Sequence, residues 1–255
     1  YHVVTYNRNP IINNKTSGIS VIQDDFDQKL SAGDIIFFNL SNTNSLKGLQ
    51  EVAQTTESLK KQVVTLNALY TNMGNDSEVR LNAVEIPQLL SKNELLNIKK
   101  LGKGLVAREH SDVLTTERAF SFIFSGIRDE DTIKGVLNSL KSMEYQGTFF
   151  VSYREMMVYP DLVKSIIDGG NEIGIAVYPE DSDTFDSICQ EINAMQLELL
   201  NKYQKKVIFV QIPYTKTKET DIVKQAKQAI YAMDLVLVTG DMSIIQSEYK
   251  DFKSA

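Results

Sequence analysis

The chain has 255 residues, 42% of them hydrophobic and 24% charged, with 27 basic against 33 acidic side chains and a net charge of −6. That balance belongs to a globular protein with room for one α/β barrel or two small domains, and it excludes a disordered or fibrous chain. Scattered basic residues leave no patch for nucleic acid, and no apolar run reaches the roughly 18–20 residues that cross a bilayer.

The chain begins on Tyr1-His2-Val3-Val4-Thr5-Tyr6, an apolar β-type run without an initiator methionine. It is expected to be cut from a longer protein, with any targeting segment removed. Short runs rich in valine, isoleucine and phenylalanine then predict strands at Val3–Tyr6, Asp34–Leu40, Gln62–Leu66, Ala119–Phe124, Thr148–Ser152, Glu172–Val177, Lys206–Ile212 and Asp234–Val238. Helical periodicity fills the gaps at 44–60, 87–101, 131–144, 160–168, 184–203 and 218–232. Asp131-Thr132 is the expected cap of the third helix, and Pro160 with Asp161 opens the fourth at its first turn. Residues 76–118 break the rhythm and read as a connector, with a polar hairpin at Leu105–Glu117. Several strands are apolar throughout, which requires cover on both faces and predicts a parallel sheet. The fold class is therefore α/β, barrel or doubly wound.

Cysteine contributes little. Cys189 stands alone, which rules out an intramolecular disulfide and a thiolate metal cluster. It falls inside a helical pattern with no histidine near it in sequence, so it reads as a small helix residue and not as an activated nucleophile. The two histidines, His2 and His110, are expected near the start of the chain and exposed in the connector.

Five segments share the cadence of one family. They are Phe122-Ile123-Phe124-Ser125-Gly126, Gly147-Thr148-Phe149-Phe150-Val151, Pro160-Asp161-Leu162-Val163, Gly169–Glu180 (GGNEIGIAVYPE) and Val210-Gln211-Ile212-Pro213-Tyr214-Thr215. Together they resemble the polysaccharide deacetylases of the NodB type, a carbohydrate esterase class. Residues 32–72 resemble that family's last strand and helix, and Val3–Pro10 the strand before it, so the order is permuted. Two explanations stay open, and they are compatible: a cut through tandem copies, or closing strands supplied to a single barrel by residues 1–75. The resemblance implies a distorted TIM-like (β/α) barrel of about seven strands. Its parts would be closing strands and helix at 1–75, the connector at 76–118 and the main NodB-like region at 119–255.

The resemblance also implies a chemistry. A divalent metal such as zinc, held by one aspartate and two histidines, polarises the acetamide and acidifies a bound water, while a carboxylate serves as base. Carried over position by position, the base aspartate falls on Ser125 and the metal aspartate on Gly126. The two metal histidines fall on Ala176 and Glu180, the motif arginine on Gln211 and the closing-strand histidine on Asn39. None matches, so no catalytic residue and no cofactor is expected.

Two acidic groups, Asp129 with Glu130 and Asp131, and Glu180 with Asp181 and Asp183, either hold a hard cation such as calcium or act as helix caps and solvated loop charges. Tyr153, Tyr178 and Tyr214, with Asp129 and Glu180, are the ligand-binding candidates; tyrosines at strand ends either stack on sugar rings or pack the rim. The leading expectation is a non-catalytic module of bacterial envelope or exopolysaccharide metabolism, extracellular or at the envelope. It would contact a cell-surface glycan or other parts of its parent chain. The competing expectations are an active carbohydrate N- or O-deacetylase using atypical ligands, and a structural interaction domain that shares only the fold.

Overall fold

The computed structural model describes residues 32–40, 46, 49, 50, 53, 62–71, 91–101, 103–111, 113, 119–213, 220–239 and 242–244. The expected strand Val3–Tyr6, His2, Tyr214 and most of the helix expected at 44–60 lie outside the described residues. Of that helix, Leu46, Leu49, Gln50 and Ala53 are described and helical.

The sheet is all parallel and curls into a half-barrel. Its order is β3 (Glu109–His110), β8 (Val236–Val238), β7 (Phe209–Gln211), β6 (Glu172–Ala176), β5 (Thr148–Val151), β4 (Ala119–Ser125), β1 (Ile35–Asn39) and β9 (Met242–Ile244). β2 (Gln62–Val64) also pairs with β4. Ser121 has register partners in both β1 and β2, and Ile123 in both β1 and β5. β2 and β5 therefore share one edge of β4, with β1 along the other. Around the sheet lie α1 (Leu66–Thr71), α2 (Lys92–Leu101), α3 (Glu130–Ser142), α4 (Tyr153–Val158), α5 (Pro160–Asp168), α6 (Phe185–Tyr203) and α7 (Asp221–Ala232).

β4 explains why the strands are apolar on both sides: all seven of its residues are buried. Register partners in a parallel sheet project to the same face, and neighbours along a strand to opposite faces. One face carries an aromatic row, with Phe124 stacked between Phe38 (5.2 Å) and Phe149 (4.6 Å). Tyr145, just beyond α3, meets Phe122 edge-on at 6.4 Å. The other face carries Ser125, Phe150 and Gly174 in one register row, with Thr148 and Glu172 below them.

The N-terminal end of this second face is occupied by α1. The Leu66 N–H donates to Thr148 Oγ1 (3.0 Å), the Asn67 N–H donates to Glu172 Oε2 (3.1 Å), and the Thr148 hydroxyl donates to the same oxygen (2.7 Å). The Tyr70 ring then packs on Phe209 at 5.2 Å and His110 at 6.0 Å. Burial pushes the Glu172 carboxyl up, more than the hydrogen bonds from Thr148 and Asn67 pull it down. The folded chain thus holds a proton at Glu172 more tightly than the unfolded chain, whose carboxyl titrates near 4.5. That contribution to stability is complete below the unfolded value and is lost as pH rises through the folded one. Glu172→Gln is expected to gain melting temperature over wild type progressively from pH 4 to pH 8; parallel curves for the two proteins would refute it.

Several sequence expectations change. The cap of α3 is Asp129, not Asp131-Thr132: its side chain accepts from the Thr132 N–H at 2.9 Å. His110 is half-buried on β3, bonded to β8, rather than exposed. The polar hairpin expected at 105–117 is, among the described residues, this two-residue parallel strand. It is anchored by the Ala107 N–H to Lys227 O (3.0 Å) and the Val113 N–H to Gly33 O (2.9 Å). Pro160 does stand at the start of its helix. Cys189 is fully buried in α6, and burial pushes its thiol up to about 12.

Candidate functional site

Parallel strands place their carboxyl ends together, and in barrels of this kind sites are built there. β4 ends on Ser125, β6 on Ala176 and β7 on Gln211, all buried, and Ala176 and Gln211 are direct register partners. Asn39, the last residue of β1, is the backbone partner of Ser125; its side chain lies outside what is described. Gly126 leaves β4 with φ +82°, a turn that L side chains rarely make.

Tyr178 organises the cluster. Two residues beyond Ala176, its phenol is near enough to Ser125 and the Gly126 amide for both to pull its pKa down. Burial, then the negative charge of Glu155, pushes its phenol well above the usual range, against the pull of Arg128, Ser125 and Gly126. It is therefore a neutral hydroxyl at physiological pH. Its ring is half-buried and packs against the core.

Glu155 went unnoticed in the sequence, although the signal was there. Ser152-Tyr153-Arg154-Glu155 is a capping box, in which Glu155 Oε2 accepts from the Ser152 N–H and hydroxyl, both at 2.9 Å. The cap holds a buried carboxylate above the end of β5. Its Oε1 is buried with no hydrogen-bond partner among the described residues, and so is Gln211 Oε1. Two acceptors without donors in one region of the fold are costly, about 1–3 kcal/mol each.

The other candidates lie apart or are engaged elsewhere. Asp129 is committed to capping α3, and the Thr132 hydroxyl and amide pull its pKa down. Glu130 pairs with Lys134 at 2.5 Å. Glu180 is exposed, and its N–H donates to Asp183 Oδ2 at 2.8 Å, closing the loop on itself. Tyr153 is half-buried at the start of α4 against the core. Tyr214 lies outside the described residues.

A zinc site needs three or four side-chain donors in tetrahedral array. Ser125, Gly126, Ala176 and Glu180 supply a hydroxyl, no side chain, a methyl group and one exposed carboxylate, which do not fit. Among the described residues no group of three or more His, Cys, Asp or Glu could hold a metal ion. Nor, among them, is any helix long and apolar enough to cross a membrane.

No protein-family model matches the chain, and no curated protein matches it. Solved structures do. The Streptococcus pyogenes deacetylase PplD in complex with acetate matches at 10% identity and TM-score 0.49, over 79% of this chain and 80% of that one. A CE4 family pseudoenzyme from Bacillus anthracis matches at 15% identity and TM-score 0.40, over 47% of this chain. This chain spans 42% of that pseudoenzyme's length. A family 4 carbohydrate esterase from Streptomyces lividans in complex with acetate matches at 16% identity and TM-score 0.37, over 47% of this chain and 60% of that one. In partial structural likeness, this chain is similar to a deacetylase, a CE4 family pseudoenzyme and a family 4 carbohydrate esterase.

Proposed function

We propose that this chain is a polysaccharide deacetylase-like module without metal-dependent catalysis, working in bacterial envelope or exopolysaccharide metabolism by binding glycan or scaffolding partners. The observation that carries this reading is the position of Tyr178. Its phenol is near enough to Ser125 and the Gly126 amide for both to act on its pKa, and these are the two positions where the resembling family has its base and its metal aspartate. A neutral phenol there provides neither the charge that binds a divalent cation nor a base for water. It does provide an aromatic edge and a hydroxyl, which suit a sugar ring. The positions 1–75 act in this reading as closing strands of the same barrel: β1 lies between β4 and β9.

The test has two arms. The purified chain should retain no stoichiometric zinc after dialysis and should not deacetylate chitin oligosaccharides or peptidoglycan; turnover by the unmodified chain would overturn the reading. Restoring Ser125→Asp, Gly126→Asp, Ala176→His and Glu180→His should give weak zinc binding at best. The phenol obstructs the site, and an aspartate at φ +82° costs about 1–2 kcal/mol. Adding Tyr178→Ala should tighten zinc binding by about tenfold or more, a gain of at least about 1.4 kcal/mol. Equal affinity with and without Tyr178 would show that the tyrosine does not occupy the metal position.

A further inference from the structure

A concavity lies at the end of the sheet opposite Ser125. It has a volume of about 480 Å³, within the range of small-molecule sites. Its walls are the turns that lead into β5, β6 and β7, together with Thr65 and Asn67 at the start of α1.

Charge is distributed unevenly across it. Glu172 lines it, half-buried, with Oε2 accepting from the Thr148 hydroxyl and the Asn67 N–H. Lys205 and Lys206 stand exposed at the edge. Neither forms an ion pair with a described residue, and Lys205 is the weakest of the influences on Glu172. A partly desolvated carboxylate favours a charged donor beside it. The two ammonium groups call for an anion. Both ends cannot be satisfied by a ligand of single charge, and a cavity this size has no room for a macromolecule.

We propose that this basin binds a small zwitterion of the amino-acid class, with its ammonium on Glu172 and its carboxylate on Lys205 and Lys206. Phe209 and Ile208 line the cavity and provide apolar contact for the carbon chain between the two charges. The site is separate from the cluster at Ser125 and does not depend on what that cluster binds.

Calorimetric titration of the full chain with glycine and 4-aminobutyrate tests it, with acetate and ethylamine as singly charged probes. At least one amino acid should bind in the millimolar range, with acetate and ethylamine each about tenfold weaker or worse. Glu172→Gln and the double variant Lys205→Ala/Lys206→Ala should each reduce that affinity by about tenfold or more. The lysines are exposed, so the double variant will fold even if the Glu172 variant does not, and circular dichroism checks both. Acetate binding as well as the amino acids would show a simple anion patch and overturn the proposal. So would affinity unchanged in the lysine variant, or no binding by any probe at about 10 mM.

Discussion

Gly33→Ala is expected to be among the most damaging single substitutions in the chain, lowering stability by about 3–5 kcal/mol. Gly33 has φ +89°, and a Cβ built on it would lie 1.7 Å from the backbone oxygen of Val113. That atom cannot swing aside as a side chain could. It is held in place, because the Val113 N–H donates to Gly33 O at 2.9 Å and the Gly33 N–H donates to Ala119 O at 2.7 Å. Relieving the clash means breaking the junction at which residues 32–34, 113 and 119 meet, just where β1 enters the sheet beside β4. For a chain of this size the loss corresponds to about 10 °C in melting temperature. Gly104→Ala provides the control, since Gly104 has φ +79° with nothing within 4 Å of the added carbon. It carries the conformational strain without the collision and should cost only about 1–2 kcal/mol. Thermal melts of the two variants that coincide would show that the collision is absent.

Phe150→Ala should cost about 3–5 kcal/mol by opening a cavity in the core. Phe150 is fully buried, and its ring lies over Gly174, where an added Cβ would come within 2.5 Å of the ring edge. The two residues are register partners on β5 and β6, so ring and gap form a single fitted pair. Gly174→Val alone should lose about 1–3 kcal/mol or more by overpacking. In the double variant the valine occupies part of the space left by the ring, and the total loss should be smaller than the sum of the two. Phe150 is also the register partner of Ser125, so its loss loosens the end of β4 as well. Denaturant titrations of the single and double variants check this; strict additivity would mean that Phe150 and Gly174 do not depend on each other.

Much of the architecture was legible because it depends on local chemistry. An apolar strand such as Ala119–Ser125 has only one stable setting, covered on both faces, and the helices from 130 to 232 follow from their apolar period and their caps. Short elements were less legible. α1, α4, β3 and β9 have 6, 6, 2 and 3 residues, too few for a period to show. The polar residues Glu109 and His110 gave no strand signal; they pair because the edge of β8 offers unmatched backbone groups.

For the candidate site, the residue types themselves were plain from the sequence: the resemblance carries the family's motif positions onto Ser125, Gly126, Ala176, Gln211 and Glu180. What they stand beside was decided only by tertiary structure. Tyr178 is 53 positions from Ser125, a separation that no motif spans, and the two come near each other because β6 lies two strands from β4 in the same parallel sheet. Glu155 was visible as a helix cap, whereas its effect on the Tyr178 phenol depends on α4 being held above the strand ends. Identity and periodicity are properties of the chain and can be read along it. Proximity between side chains far apart in sequence comes from sheet register, which is settled by packing the whole aromatic row at once.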